Sequence, residues 1–433
     1  MSINNNSEET VSGTILPKRW KSRFLLLWAG QAASLSGSSL VSFALIWWLT
    51  EKTGSTSVLA ASTFFTILPG IVLGPFSGTL VDRHNRKKIM LIADAAVAAL
   101  TLLLALMFYS GMVQPWQIIL VMFLREVGGT LQMPAMTATT TLMVPESQLS
   151  RVGGMNHTLS GIIRIVAPPA GALLIGVLPF YAVLSIDILT ALLAIIPLII
   201  LNIPSPPKKI KPDGEPDRNV SFWRDTKEGL KYVWLWRTLF WVVTTCTFAN
   251  VFIGPSRSFQ PLVVTQIFGG GALELSYISM ASGFGVIAGG VLMSIWKGFK
   301  RRLITSAAGW IGIGAAFIVA SLVPGNMYAL FLCMMFISGF MTPVGCAPLN
   351  AFYQSSIPPD MQGRVFSVLN SLDGLTMPFG IVIAWALGGA VPLMLWYFLL
   401  GASHFILGII WLGIPFIRRA ETESAQRRGW LSM

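Results

Sequence analysis

Twelve runs of about 20 or more predominantly apolar residues set the strongest limit on what this chain can fold into. They cover approximately 24–49, 57–81, 89–110, 116–143, 152–177, 181–203, 238–266, 276–296, 303–323, 327–356, 364–389 and 394–417. A bilayer's hydrocarbon core is about 30 Å thick, and an α-helix crosses it with about 20 residues. No water reaches that core, so a spanning segment must satisfy its own backbone, which a helix does. Transmembrane strands would be about 10 residues of alternating polarity. These runs are longer and continuously apolar. The expected fold is an all-α membrane protein with twelve transmembrane helices. Only 11% of the 433 residues are charged, against about 25% in soluble domains. That excludes a soluble or disordered protein.

The charges that remain are unevenly placed. With the N-terminus assigned to the cytoplasm, the inside segments hold 26 Lys and Arg and the outside segments hold one, Lys52. This is the positive-inside pattern, with both termini cytoplasmic and a multi-pass location in the cell membrane. It accounts for the net charge of +12 through basic loops facing the lipid headgroups of the bilayer, without a nucleic-acid partner. Cys246, Cys333 and Cys346 lie in apolar runs and form neither a disulfide framework nor a metal-spaced cluster. No short apolar stretch with a cleavage site precedes the first run, so no leader is expected.

The longest polar stretch divides the chain. The expected organisation is an N-terminal segment 1–23, a six-helix half 24–203, a linker 204–237, a second six-helix half 238–417 and a tail 418–433. Within the linker, Phe222, Trp223, Leu230, Val233 and Trp234 recur at helical spacing with Lys227, Glu228 and Lys231 between them. This reads as an amphipathic helix lying on the membrane face; an extension of the seventh run is the alternative. A weak repeat links the halves at an offset of about 213: Pro145 to Val152 before the fifth run matches Pro358 to Val365 before the eleventh. Repeated halves are the plan of many secondary transporters, with the site at mid-membrane.

The end of the second run carries Gly78-Thr79-Leu80-Val81-Asp82-Arg83-His84-Asn85-Arg86-Lys87-Lys88. The basic residues serve topology, and Gly78 permits close helix approach. This string resembles the loop signature of the major facilitator superfamily at Gly78, Leu80, Asp82, Arg83, Arg86 and Lys87. Asn85 stands where the family has a second Gly, and Asn tolerates the φ > 0 a turn there would need. The resemblance implies that Asp82 and Arg83 latch the second helix to the eleventh, near Gly363 and Arg364. Arg125-Glu126-Val127-Gly128-Gly129 resembles the family's fourth-helix motif, which adds Arg125 to the gating set. Ala167-Pro168-Pro169-Ala170-Gly171-Ala172 resembles the antiporter motif through Pro168 and Gly171, with proline expected to kink the helix. Further strings, from Trp28 to Ser34, Leu49 to Ser55 and Gly363 to Ser367, are similar to the macrolide-efflux group of the third drug:proton antiporter family. That implies export of an amphipathic drug driven by the proton gradient.

Charged residues inside apolar runs are costly and are functional candidates by default. Glu126, Asp373, Asp187 and Asp94 are the candidate proton-coupling carboxylates, and Arg164 and Arg257 are candidates for contacting substrate or pairing with an acid. Glu126 and Arg164 share mid-depth on the fourth and fifth runs and are expected to pair. No phosphate-binding loop, nucleophilic triad or metal-ligand constellation occurs, so the chain is expected to be neither an enzyme nor ATP-driven, to need no cofactor and to work as a monomer on a small-molecule substrate. A siderophore or metabolite exporter of the same fold is the alternative, with a non-transporting sensor behind it.

Overall fold

The computed structural model describes residues 10–11, 14–15, 20–201, 222–296 and 298–413. Most of the terminal segments and the linker before residue 222 lie outside the described residues. Residues 10–11 and 14–15 pair as a short antiparallel ladder; everything else regular among the described residues is helical. The first six long helices are α1 (Trp20–Thr53), α2 (Thr56–Arg83), α3 (Arg86–Tyr109), α4 (Pro115–Met143), α5 (Glu146–Val177) and α6 (Phe180–Ile200). The linker helix is α7 (Phe222–Leu235). The seventh run is broken into α8 (Arg237–Asn250), α9 (Ile253–Ser258), a single turn α10 (Gln260–Leu262) and a π-turn at Val263–Ile267. Then follow α11 (Ala272–Ile295), α12 (Arg302–Ser321), α13 (Tyr328–Ser356), α14 (Pro359–Leu387) and α15 (Leu393–Gly413). Twelve helical spans are long and apolar enough to cross a bilayer, as the sequence predicts.

The chain forms two compact units, Met1–Thr53 with Ser62–Lys209, and Gly54–Ala61 with Ile210–Met433. Residues 54–61 join the second unit, where the Ser258 hydroxyl donates to the Leu59 carbonyl at 2.9 Å. In the first unit α1 packs on α5 and α6, and α3 packs on α4 and α6. In the second, α12 packs on α13 and α15, and α11 on α13. Leu189, Ile196, Ile199 and Ile200 on α6 are exposed, as lipid-facing residues of a membrane helix are.

The break in the seventh run has a local cause. Pro255 has no N–H to give the Val251 carbonyl four residues earlier. That carbonyl instead lies against Gly380 of α14, where an added Cβ would meet it at 1.8 Å. Reciprocally, a Cβ on Gly254 would stand 2.4 Å from the Met377 carbonyl. Only glycine at both positions lets α14 approach this closely. Gly380→Leu is therefore expected to overpack the contact and cost about 3 kcal/mol. It should lower the temperature at which monodisperse protein is lost on size exclusion, and an unchanged midpoint would refute the account.

The linker helix is separate from the seventh span rather than its extension, because Trp236 between them is extended (φ −99°, ψ 93°). Val233 and Trp236 are buried, while Leu230, Trp234 and Leu235 are exposed. The side chains of Phe222 and Trp223 lie outside the described residues. Glu228 on α7 pairs with Arg364 on α14 at 3.1 Å.

The two units share one local contact. Arg86 at the start of α3 donates to the Ala138 carbonyl of α4 at 2.8 Å. Arg302 at the start of α12 donates to the Ala351 carbonyl of α13 at 3.0 Å. Each arginine donates to a backbone carbonyl near the end of the next span.

Candidate functional site

Four helices of the first unit turn polar stripes towards one another. Gln31, Ser34, Ser38 and Ser42 on α1 are spaced by three, four and four residues, which puts them on one face. Asp94 and Thr101 share a face of α3, and Asp187 comes from α6. Arg125, Gly129 and Gln132 run along α4 at intervals of four and three. Together with Met122, Met133 and Met136, the α1 and α4 stripes and Asp94 line a cavity of about 420 Å³. The methionines add soft apolar surface to it.

Two hydrogen-bonded networks hold that polar wall. Asp94, 1% exposed, accepts from Gln31 Nε2 at 2.8 Å, from Gln132 Nε2 at 2.7 Å and from Ser34 Oγ at 3.3 Å. Gln132 also reaches Gln31 Oε1 at 2.7 Å, which ties α4 to α1. Asp187, fully buried, forms an ion pair with Arg125 at 2.5 Å, and Arg125 itself is 8% exposed. Ser38 Oγ donates to the other Asp187 oxygen at 2.8 Å, and Thr101 Oγ1 donates to the first at 2.9 Å. The Arg125 guanidinium also contacts the Thr101 hydroxyl. A charge pair this deep is stable only with such additional hydrogen bonds.

Glu126 differs from its neighbours. It lines the same cavity, with its carboxylate over Gly129, 3.7 Å from where a Cβ would be. Among the described residues no hydrogen bond or ion pair holds that carboxylate. The expected Glu126–Arg164 pair is not formed: Arg164 is exposed on α5. Equal depth brings residues together only if their helix faces meet, and α4 packs along α3 while touching α5 lightly. The cavity is thus lined by two carboxyl groups, Asp94 and Glu126, and by one guanidinium, Arg125, which is already paired with Asp187. The excess acid calls for protons or a cationic ligand.

The remaining candidates are placed as follows. Asp373 on α14 lines a smaller cavity in the second unit, where Asn250 Nδ2 donates to it at 3.4 Å. Arg257 is exposed on α9. Gly171 of α5 packs on α1, with Phe43 Cδ1 3.0 Å from where its Cβ would be, and α5 runs unbroken through Pro168 and Pro169. The side chain of Asp82 lies outside the described residues, and Arg83 is exposed. No described atom lies within 4 Å of a Cβ placed on Gly78. Asn85 does not take up φ > 0. It is the N-cap of α3 at φ −70°, and its side chain accepts from the Lys88 N–H at 3.2 Å. An N-cap side chain supplies by hydrogen bonding what a glycine would supply by conformational freedom. Lys87 closes the end of α6 by donating to the Leu201 carbonyl at 2.9 Å.

Sequence reasoning missed the neutral members of the networks, Gln31, Ser34, Ser38, Thr101 and Gln132. The signal was present in the first run: polar side chains at helical spacing inside an otherwise apolar segment.

With this geometry in hand, comparison with known proteins is informative. The family model of the Major Facilitator Superfamily matches residues 27–381. The chain is 31% identical over 404 residues to macrolide efflux protein A of Streptococcus pyogenes, covering 93% of this chain and 98% of that one. It is 24% identical over 417 residues to the multidrug efflux pump Tap of Mycolicibacterium fortuitum, covering 92% and 97%. Among solved structures, a bacterial homologue of the iron transporter ferroportin in its inward-facing state superposes with a TM-score of 0.68 at 14% identity, covering 90% of this chain and 98% of that one.

Proposed function

This chain belongs to the Major Facilitator Superfamily, and on that premise we propose that, as a transporter of that superfamily, it exports an amphipathic drug of macrolide type from the cytoplasm in exchange for protons. The observation that carries the reading is the cavity of the first unit, where Glu126 faces the open space beside a fixed Arg125–Asp187 pair. A coupling carboxylate must gain and lose a proton within each cycle, so it cannot be locked by strong partners. Of the two acids that line the cavity Glu126 meets that condition, whereas Asp94 is held in its network, as is Asp187 behind Arg125. Asp373 is the competing coupling residue. The similarity to macrolide and multidrug efflux proteins supports the substrate class, and the basic loops support cytoplasmic termini. Gating is assigned to the Gly78–Lys88 segment, and a single chain is the working unit.

The energetics suffice. One elementary charge across 100 mV is worth about 2.3 kcal/mol, so one proton at about 150 mV supplies about 3.5 kcal/mol. That sustains a drug gradient of a few hundred-fold, at about 1.4 kcal/mol per decade. The test is drug accumulation in a susceptible cell that expresses the chain. Accumulation of a macrolide should fall, and a protonophore should restore it. Unchanged accumulation in well-expressing cells, or export indifferent to the protonophore, would overturn the proposal.

A further inference from the structure

We propose that the smaller cavity, in the second unit, is a recognition pocket for a protonated amine flanked by a hydroxyl or ether oxygen, as in an amino sugar. This rests on the drug-export reading and gives it a chemical determinant. The cavity, about 190 Å³, lies among α8, α12, α13, α14 and α15. It is smaller than the roughly 300–1,000 Å³ of pockets that enclose a drug-sized ligand, so it takes a head group rather than a whole macrocycle.

Its chemistry is that of a cation site. Among the described residues that line it, Asp373 is the only acid, and no Lys or Arg is present. This contrasts with the first unit's cavity, where Arg125 sits among the acids. Among the described residues the Asp373 carboxylate accepts one hydrogen bond, from Asn250 Nδ2 at 3.4 Å, which leaves most of its acceptor capacity unused. Asn350 and Thr247 add neutral oxygens, and the Trp310 and Tyr353 rings add π-faces that attract ammonium groups. His404 donates from Nδ1 to the Leu400 carbonyl at 3.0 Å.

A second observation points to the neighbouring oxygen. Trp310 is 8% exposed, yet its Nε1–H has no hydrogen-bond partner. Its six-membered ring packs against Gly345, with Cε3 and Cζ3 at 3.3 and 3.4 Å from where a Cβ would stand. A buried donor without an acceptor is costly, and a ligand oxygen beside the amine would supply the acceptor.

The experiment measures binding to the purified full chain without any proton gradient, in membranes of phosphatidylglycerol, whose headgroup carries no amine. The probes are a macrolide with a basic dimethylamino sugar and its neutral N-desmethyl-N-formyl analogue. Asp373→Asn should weaken the cationic probe about tenfold or more and leave the neutral one within about twofold. Asp373→Glu should restore much of the preference. Trp310→Phe, which keeps the ring and removes the donor, should weaken both probes about three- to tenfold. Equal effects of Asp373→Asn on both probes, or none on either, would overturn the pocket. A lipophilic amino alcohol without a macrocycle is the third probe. If it binds in an Asp373-dependent way while neither macrolide binds, the pocket stands and the macrolide reading fails. If Asp373 matters to none of the three, the pocket itself fails.

Discussion

Asp187→Asn is expected to be the most damaging single substitution in the first unit. It keeps the shape of the side chain and removes the charge opposite Arg125, leaving a guanidinium buried without its counter-ion. Breaking one side of a buried pair costs about 3–5 kcal/mol. The Ser38 and Thr101 hydroxyls, which now donate to carboxylate oxygens, also lose their charged acceptor. Little folded protein should survive extraction, and its thermal midpoint should fall well below that of the parent. Replacing both partners, as Arg125→Met with Asp187→Leu, should recover most of the stability, because the cost lies in the uncompensated charge and not in the absence of a pair. Export should stay impaired in the double variant, since Arg125 lines the cavity. A stable Asp187→Asn protein with a parental midpoint would show that the pair does not hold the α3–α4–α6 core together.

Glu126→Gln is expected to give the opposite profile. Among the described residues its carboxylate has no bonded partner, so removal of the charge should change stability by no more than about 0.5 kcal/mol, as for substitutions away from structural features, and leave the thermal midpoint close to the parent's. Binding of drug should persist, because Gln mimics the protonated acid. Uphill export driven by an imposed pH gradient should be lost. In reconstituted vesicles, drug exchange without a gradient should continue while gradient-driven accumulation stops. Asp373→Asn measured beside it decides between the units. Full gradient-driven export of the neutral N-formyl macrolide by Glu126→Gln, with its loss in Asp373→Asn, would move the coupling proton to the second unit. The two sets of variants separate architecture from coupling within one cavity.

The networks explain why the site was only partly legible in the sequence. The charged candidates were found because an acid or base inside a 20-residue apolar run is conspicuous on its own. Their partners were not, because each bond joins residues far apart in the chain. Arg125 meets Asp187 across 62 positions, and Gln31 meets Asp94 across 63. Depth in the membrane follows from counting along a helix, and it made Glu126 and Arg164 look like neighbours. Direction around the helix follows only from packing. Successive residues point about 100° apart, so Arg125 turns towards Asp187 while Glu126, one position on, turns into the cavity.

The sequence by itself determined the number of spans, their helical character and the basic asymmetry of the loops, and it offered an amphipathic helix in the linker whose separation from the seventh span the structure supplied. These are local properties: apolar length, charge and spacing act within one segment, and lipid enforces them segment by segment. The tertiary structure decided which acids are bonded and which one is left open, that Asn85 caps a helix instead of forming a left-handed turn, and that the seventh span breaks where Val251 meets Gly380. Those outcomes depend on which faces of different helices come within about 3 Å of one another, the reach of a hydrogen bond, and a linear pattern of residues does not contain that distance.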